Sequence, residues 1–389
     1  MRLWRALEAM LRQHDRGEPP AMEFDSLFKA MVDQKASDLF LKSGSLPCLR
    51  VDGKLNACGG ERLTRADLLQ LADELMGPDR QQLLQHEREL NFAFHRHTIG
   101  RFRANVLWQQ GSLALVIRRI QEHIPSFEEL CLPAAVLRRL AEERQGMLLI
   151  TGPTASGKST TTSSVLEYIN QTKACHIVTL EDPIEYLFEE DQAIINQREV
   201  GVDTRSFSEG LKNVLRQSPD VLYLSDLRDQ ESMEAALLAA ESGQMVISCI
   251  HTTNAVTTIE RMVAFFPPHQ HELIRFRLSM ILKGIVSLRL LPRRDRTGQI
   301  PACEVLVMTP TIQELVREAR VGEIPMLLRD GGVFGMQTQT QALYQLVAAG
   351  VVMQEEALKV ADSPGELELA LRDIRATKDV DRYEPGTTI

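Results

Sequence analysis

Four apolar runs stand out in the second half of the chain: MLLITG (147–152), HIVTLED (176–182), VLYLSD (221–226) and MVISCIHT (245–252). Each is nearly continuous in its apolarity and each ends in a polar residue. A parallel strand covered on both faces has this signature. Helical stretches lie between the runs, so the pattern predicts a doubly wound α/β domain over 134–375. Ligands of such sheets bind beyond the carboxyl ends of the strands, where these runs place their polar residues. Residues beyond about 270 read as mostly helical, and 376–389 (ATKDVDRYEPGTTI) as an unpacked tail.

The first third reads differently. SDLFLKSG alternates like a strand, and CLRVDGKL reads as two short strands about an Asp52–Gly53 turn. RADLLQLADELM carries a helical face, and RFRANVLWQQGSLALVIRRI reads as two strands joined at Gly111. Residues 22–122 are therefore expected to form a smaller α+β domain, and 123–133, HIPSFEELCLP, a linker marked by Pro125 and Pro133. In residues 1–21, Leu3, Ala6, Leu7, Met10 and Leu11 recur at helical spacing before GEPP breaks the pattern. They read as a loose extension, with Met22 as an alternative start, or as a short amphipathic helix.

Composition narrows the class. At 389 residues the chain is long enough for two or three domains. Its 44 basic and 53 acidic residues give a net charge of -9. With aromatics at only 5%, a surface that coats or stacks on nucleic acid is not expected. Six cysteines form no C-x-x-C pair, which excludes a zinc ribbon and a thioredoxin motif. Several, such as Cys249 in VISCI, read as small buried hydrophobes, and the pattern as that of a cytosolic protein. No apolar run reaches 18 residues, and the charged N-terminus does not resemble a signal peptide.

The chemistry is concentrated at the strand ends. Gly152, Pro153, Thr154, Ala155, Ser156, Gly157, Lys158 and Ser159, followed by Thr160, fit G-x-x-x-x-G-K-[ST] between a strand and a helix. Glycines let backbone N–H groups curl around phosphate oxygens, and the helix N-terminus adds its dipole. Lys158 is expected at the β/γ-phosphates of ATP, and Ser159 at a Mg²⁺ ion. Ala155 occupies a position that often needs positive φ, at a cost of about 1 kcal/mol. Glu181 with Asp182, Asp226 with Arg228 and Asp229, and His251 with Thr252 and Thr253 close the next three strands. Hydrolysis needs an acid for Mg²⁺, an acid for the attacking water and a γ-phosphate sensor. Asp226 (at the metal with Ser159, or at the water), Glu181 as its rival at the water, and His251 are the candidates.

With these residues in view, TLEDPIEY resembles the Asp box and HTTNA the His box of the PilT/PilU family of secretion-superfamily ATPases. SDLFLKSG, RVDG and RFRANVLWQQ–VIRRI resemble that family's PAS-like N-terminal domain. The likeness runs from Met22 to about residue 375. MEFDSLFKAMV, QREVGVDTRSF, LKNVLRQSPDV and GMQT followed by QALYQL look closer to PilU, the HTT of the His box closer to PilT.

The resemblance implies a RecA-like P-loop domain after a PAS-like one. It implies a homo-hexameric ATPase of pilus retraction, acting alone or with a PilT-like ATPase. Such a ring is cytoplasmic and peripheral at the inner membrane, docked on a platform protein. It further implies that Arg101, Arg103 and Arg118, with Arg119 adjacent, reach nucleotide at the subunit interface. The chain also departs from the family. Ser225-Asp226 stands where Gly-Glu is usual, TIQELVRE (311–318) stands for the retraction-linked Ala-Ile-Arg-Asn-Leu-Ile-Arg-Glu, and Gln339-Thr340 stands for Phe-Asp. The shorter Asp226 reads toward weak hydrolysis and an accessory subunit. A pilus-assembly or secretion ATPase is the third reading, disfavoured by the missing cysteine pairs.

Overall fold

A computed structural model describes residues 24–51, 53–120, 123–295 and 298–380, with backbone alone over 373–380. The amphipathic stretch of 1–21, Met22, Asp52 of the Asp-Gly turn, and 381–389 of the expected tail lie outside the described residues. The chain divides into two compact units between 122 and 123.

The N-terminal unit comprises α1 (Phe24–Asp33), β1 (Asp38–Lys42), β2 (Cys48–Val51), β3 (Lys54–Ala57), α2 (Arg65–Leu75), α3 (Pro78–Glu87), β4 (Glu89–Arg96), β5 (Gly100–Gln109) and β6 (Ser112–Arg119). Its sheet is antiparallel with strand order β3-β2-β1-β6-β5-β4. Alternation decides its faces. Phe102, Ala104 and Val106 of β5 are buried, whereas Arg101, Arg103 and Asn105 face outward. Under the buried face lies a phenylalanine cluster. The Phe102 ring centroid is 5.0 Å from that of Phe28 and 5.6 Å from that of Phe94. Thr64 opens α2 with a capping box, its side chain accepting from Asp67 N–H while the Asp67 carboxylate accepts from Thr64 N–H.

The second unit comprises α4 (Ala134–Ala141), β7 (Gly146–Thr151), α5 (Lys158–Thr172), β8 (His176–Glu181), β9 (Ile194–Glu199), α6 (Phe207–Val214), β10 (Val221–Leu224), α7 (Gln230–Glu241), β11 (Met245–Ile250), α8 (Ala255–Ala264), α9 (His271–Ile281), β12 (Leu282–Pro292), β13 (Gln299–Val307), α10 (Pro310–Arg317), α11 (Ile324–Asp330), α12 (Gln339–Ala348), α13 (Gln354–Val360) and α14 (Pro364–Val380). Strand order is β13-β12-β7-β11-β10-β8-β9, parallel except at β13.

Every residue of β7, β10 and β11 is buried, because successive side chains enter two different cores. Leu148, Ile150, Tyr223 and Ile247 pack with Leu137, Val165 and Ile169 of α4 and α5. Met147, Leu149, Leu222 and Val246 pack with Met233, Leu237, Ile259 and Leu278 of α7, α8 and α9. Helices thus cover both faces, the continuous apolarity being the physical condition for it.

Two expectations are corrected. The region beyond 270 is not simply helical. It contains the 11-residue β12 and the 9-residue β13. The helix α9 ends at Ile281 and β12 starts at Leu282, so no polar break separates them and the apolar run conceals the change of period. The proline-marked segment 123–133 is packed rather than free: Phe127 and Leu132 are buried, and Pro125 C=O accepts from Ser164 Oγ at 2.6 Å. The backbone of α14 is helical through Val380, so the expected tail begins within this helix.

The phenylalanine cluster generates a test. Phe102→Ala is expected to cost the N-terminal unit about 3–5 kcal/mol. Amide exchange in β4, β5 and β6 should accelerate accordingly, with β7, β10 and β11 unaffected. Unchanged exchange in β5 would contradict this core assignment.

Candidate active site at the ends of the parallel strands

The loop that follows β7 is shaped by what cannot fit. Gly152 has φ 149°, and a Cβ there would lie 2.3 Å from Ser156 Oγ and 2.6 Å from Leu288 C=O. Only glycine lets the chain pass between the loop's own serine and β12. Gly157 has φ 90° and leads into α5. Ala155 has φ 62°, so the left-handed position anticipated for it is real, with alanine where glycine would be unstrained. The buried Ser156 hydroxyl has no hydrogen-bond partner, which marks the cradle as incomplete without an outside acceptor.

The Lys158 ammonium donates to Gly152 C=O at 3.0 Å and Pro153 C=O at 2.8 Å, and lies 3.4 Å from His251 Nδ1. Burial pulls its pKa below the usual lysine value, against the opposing pull of Cys249, Asp226 and Glu185. At the start of α5, Ser159 Oγ donates to Glu185 Oε1 at 3.0 Å, and Thr160 Oγ1 lies 2.9 Å from the Tyr186 hydroxyl. The segment after β8 is thereby tied to the first turn of the phosphate-loop helix.

The other strand ends converge on the same place. Asp226 Oδ2 accepts from Arg228 Nε at 3.0 Å and lies 3.7 Å from His251 Nε2. Arg228 Nη1 donates onward to Asp182 Oδ2 at 3.3 Å. Lys158, His251, Asp226, Arg228 and Asp182 so form one chain of polar contacts across the ends of four strands. Glu181 sits differently. It is only 5% exposed, and its Oε1 accepts from Thr179 Oγ1 at 2.6 Å and from Gln197 Nε2 at 3.2 Å. Burial pushes its pKa up to about 7, the two hydrogen bonds working against the shift.

The carboxylate on the Ser159 hydroxyl is Glu185, which the motif reading did not single out. Its signal was present as the second glutamate of EDPIEY, but nothing in a one-dimensional pattern says which glutamate turns toward Ser159. Gln197, on the polar edge strand β9, carried no signal at all.

Arg101, Arg103 and Arg118 lie in the N-terminal unit, on the outward face of its sheet. Register sets Arg50, Asp38, Arg118 and Arg103 in one row across β2, β1, β6 and β5. Asp38, 3% exposed, accepts from Arg118 Nε at 2.9 Å and has Arg50 Nε 3.7 Å away. Arg118 is therefore held by a buried carboxylate, a partner sequence reading did not assign.

The donors near Ser159 are hard oxygens, as Mg²⁺ requires. Among the described residues no cluster of three or more His, Cys, Asp or Glu forms a metal cage. Hard oxygen donors suit an ion that is carried largely by phosphate oxygens and water. Among the described residues, no helix is long and apolar enough to cross a membrane.

The raised Glu181 pKa generates a pH prediction. The native state holds this proton more tightly than the unfolded chain, so the contribution to stability is full below about 4.5 and is lost as pH rises to about 7. Glu181→Gln mimics the neutral acid and keeps an acceptor for Thr179 and Gln197. Its melting temperature relative to wild type is expected to rise between pH 5 and pH 8. A difference that stays flat with pH would contradict the buried-acid assignment.

Comparison with known proteins meets this geometry. The family model for type II/IV secretion system protein matches residues 23–314. The type IV pilus ATPase PilU of Pseudomonas aeruginosa is 37% identical over 351 residues, covering 90% of this chain and 92% of its own. The type IV pilus retraction ATPase PilT of the same organism is 36% identical, covering 88% of this chain and 99% of its own. A crystal structure of the pilus retraction motor PilT with bound ADP superposes at a TM-score of 0.84 with 41% identity, over 90% of this chain and 99% of that one. With its phosphate loop, acids and histidine gathered at one end of the same sheet, the chain belongs to the type II/IV secretion system protein family and is homologous to the pilus ATPases PilU and PilT.

Proposed function

We propose that this chain is a PilU-like ATPase of type IV pilus retraction, working as a homo-hexameric ring at the cytoplasmic side of the inner membrane, against a pilus platform protein. The observation that carries the reading is the contact of Lys158 with His251, and of His251 with Asp226, in a chain homologous along nine tenths of its length to PilU. A P-loop cation, a strand-end acid and a histidine sensor are the parts that phosphoryl transfer to water requires.

In this reading, Gly152 to Thr160 bind the phosphates of ATP. The α5 N-terminus and the Ser156 hydroxyl supply donors, and Lys158 leaves its loop carbonyls for the β/γ-phosphates. Ser159 and Asp226 would hold Mg²⁺, with Glu185 orienting the Ser159 hydroxyl. When bound, the ion neutralises charge on the β- and γ-phosphate oxygens. His251, between Lys158 and Asp226, is placed to report the γ-phosphate. Glu181, uncharged over part of the neutral range, reaches the site through Gln197 and the 182–186 segment rather than by direct exposure. Arg101, Arg103 and Arg118 would complete a neighbour's site in the ring, Asp38 fixing the direction of Arg118.

A second reading, an accessory subunit with weak ATPase that depends on a PilT-like partner, is favoured by a specific contact. Asp226 is short, and Arg228 holds its Oδ2 at 3.0 Å. A carboxylate so held is one methylene further from a nucleotide than a glutamate, and about 1 Å of misplacement costs on the order of 100-fold in rate.

ATPase turnover of the purified chain, with and without a PilT-like ATPase, separates the readings. Lys158→Ala is expected to abolish ATP binding and turnover. Wild-type affinity in that variant, by equilibrium dialysis or fluorescence titration, would remove the P-loop assignment. Asp226→Glu is expected to raise turnover by about 10-fold, equivalent to about 1.4 kcal/mol, with ATP affinity little changed. Brisk wild-type turnover that falls in this variant would dismiss the accessory reading.

A further inference from the structure

The turn that carries His251 is gripped from behind by a polar network that no part of the site above uses. Asn254 caps α8, its Oδ1 accepting from Thr257 N–H at 2.9 Å. The next free amide of the helix, Ala255 N–H, donates to Glu304 Oε1 of β13 at 2.7 Å. The Asn254 amide nitrogen, left over by the cap, donates to Asp362 Oδ2 at 3.4 Å. Asp362 lies between α13 and α14, in the C-terminal helices. Its other oxygen accepts from Arg289 Nη2 of β12 at 2.7 Å. Gln339, the first residue of α12, joins the pair with its amide oriented to accept from Arg289 Nε at 2.6 Å and to donate to Asp362 Oδ1 at 3.3 Å. Gln339 is one of the two positions after GMQT where this chain departs from its family.

The network has a direction. On its near side, Thr252 Oγ1 meets Thr258 Oγ1 at 2.7 Å, and Thr258 Oγ1 also donates to Asn254 C=O at 2.6 Å. The turn 251–254 is therefore rigidly joined to α8, three residues from the imidazole that touches Lys158. On its far side stand the C-terminal helices, whose Leu343, Val352, Leu367 and Leu371 pack with Leu291 of β12 and Ile300 of β13. The C-terminal helices form one packed group on this edge of the sheet. Asp362 is its polar link to the His251 turn.

We propose that Asp362 is a positioning residue: through Asn254 it sets the His251 turn against Lys158 and Asp226, and so couples the C-terminal helices to the hydrolysis site. Arg289 and Gln339 hold Asp362 in place, and Glu304 seats the start of α8. The coupling is reciprocal, so nucleotide at His251 and a load on the C-terminal helices bias the same contact. The inference rests on the reading of His251 as part of the nucleotide site.

Asp362→Asn tests it without removing volume. The introduced amide oxygen still accepts from Arg289, but the amide nitrogen meets the Asn254 nitrogen, and two donors repel. Steady-state ATPase kinetics are expected to show kcat lowered about 10-fold, with the KM for ATP within about 2-fold of wild type. Asn254→Asp keeps a good helix cap and brings two carboxylates together, so the same loss is expected. The double exchange, Asn254→Asp with Asp362→Asn, restores one donor facing one acceptor and should recover kcat to within about 2-fold of wild type. Combined with His251→Ala, Asp362→Asn should add no further loss, because the group it positions is gone. The proposal is overturned by wild-type kcat in Asp362→Asn, by failure of the double exchange to recover activity, or by losses that multiply in the His251→Ala background. Should His251→Ala alone turn over like wild type, the site reading fails with it, and that arm reports this separately.

Discussion

The absence of room at Gly152 governs the rest of the second unit. Between Ser156 Oγ and the Leu288 carbonyl there is no space for even one carbon, so β7, the phosphate loop and β12 can approach only at this spacing. That approach lets Thr151 Oγ1 donate to Ser287 Oγ at 2.8 Å and brings the Lys158 ammonium under the loop carbonyls. A buried ammonium demands partners. Those it finds are two carbonyls and His251, the groups that a phosphate would have to displace in the proposed function. Packing of the central strands and chemistry at their ends are one constraint.

Charge at this edge of the sheet is arranged by burial. Asp226 is paired with Arg228 and near His251, Asp182 with Arg228, and Glu185 with Ser159. Glu181 lies deeper, satisfied by Thr179 and Gln197, and desolvation raises its pKa to about 7. Glu304 is raised to about 7 for the same reason, although it receives the Ala255 amide at the start of α8. Desolvation, more than residue type, sets where these two buried acids titrate.

The N-terminal unit solves a related problem with a sheet. Its inner face is sealed by phenylalanines, and its outer face carries arginines at alternate positions. One buried aspartate, Asp38, sits between Arg50 and Arg118 in adjoining strands. Like-charged guanidinium groups in one row are held in register because a carboxylate stands among them. Arg118, the exposed member of the row, is fixed in direction by Asp38, while Arg50 and Arg103 are half-buried.

Much of this was legible in the chain. The G-x-x-x-x-G-K-S pattern, the apolar runs ending in polar residues and the alternation of RFRANV each follow from local chemistry: φ at glycine, strands covered on two faces, strands covered on one. The boundary between α9 and β12 was not legible, because Ile281 and Leu282 are both apolar and no turn residue parts them. Nor was the contact of Glu185 with Ser159, or the partnership of Asp38 with Arg118, 80 residues away. Nor was the network joining Asn254, Arg289, Gln339 and Asp362. Such pairings depend on strand register and on which side of a turn each carboxylate emerges. Local sequence determines the period of an element and the groups it offers; only the packed sheet, by closing space around them, decides which groups meet and which are stripped of water.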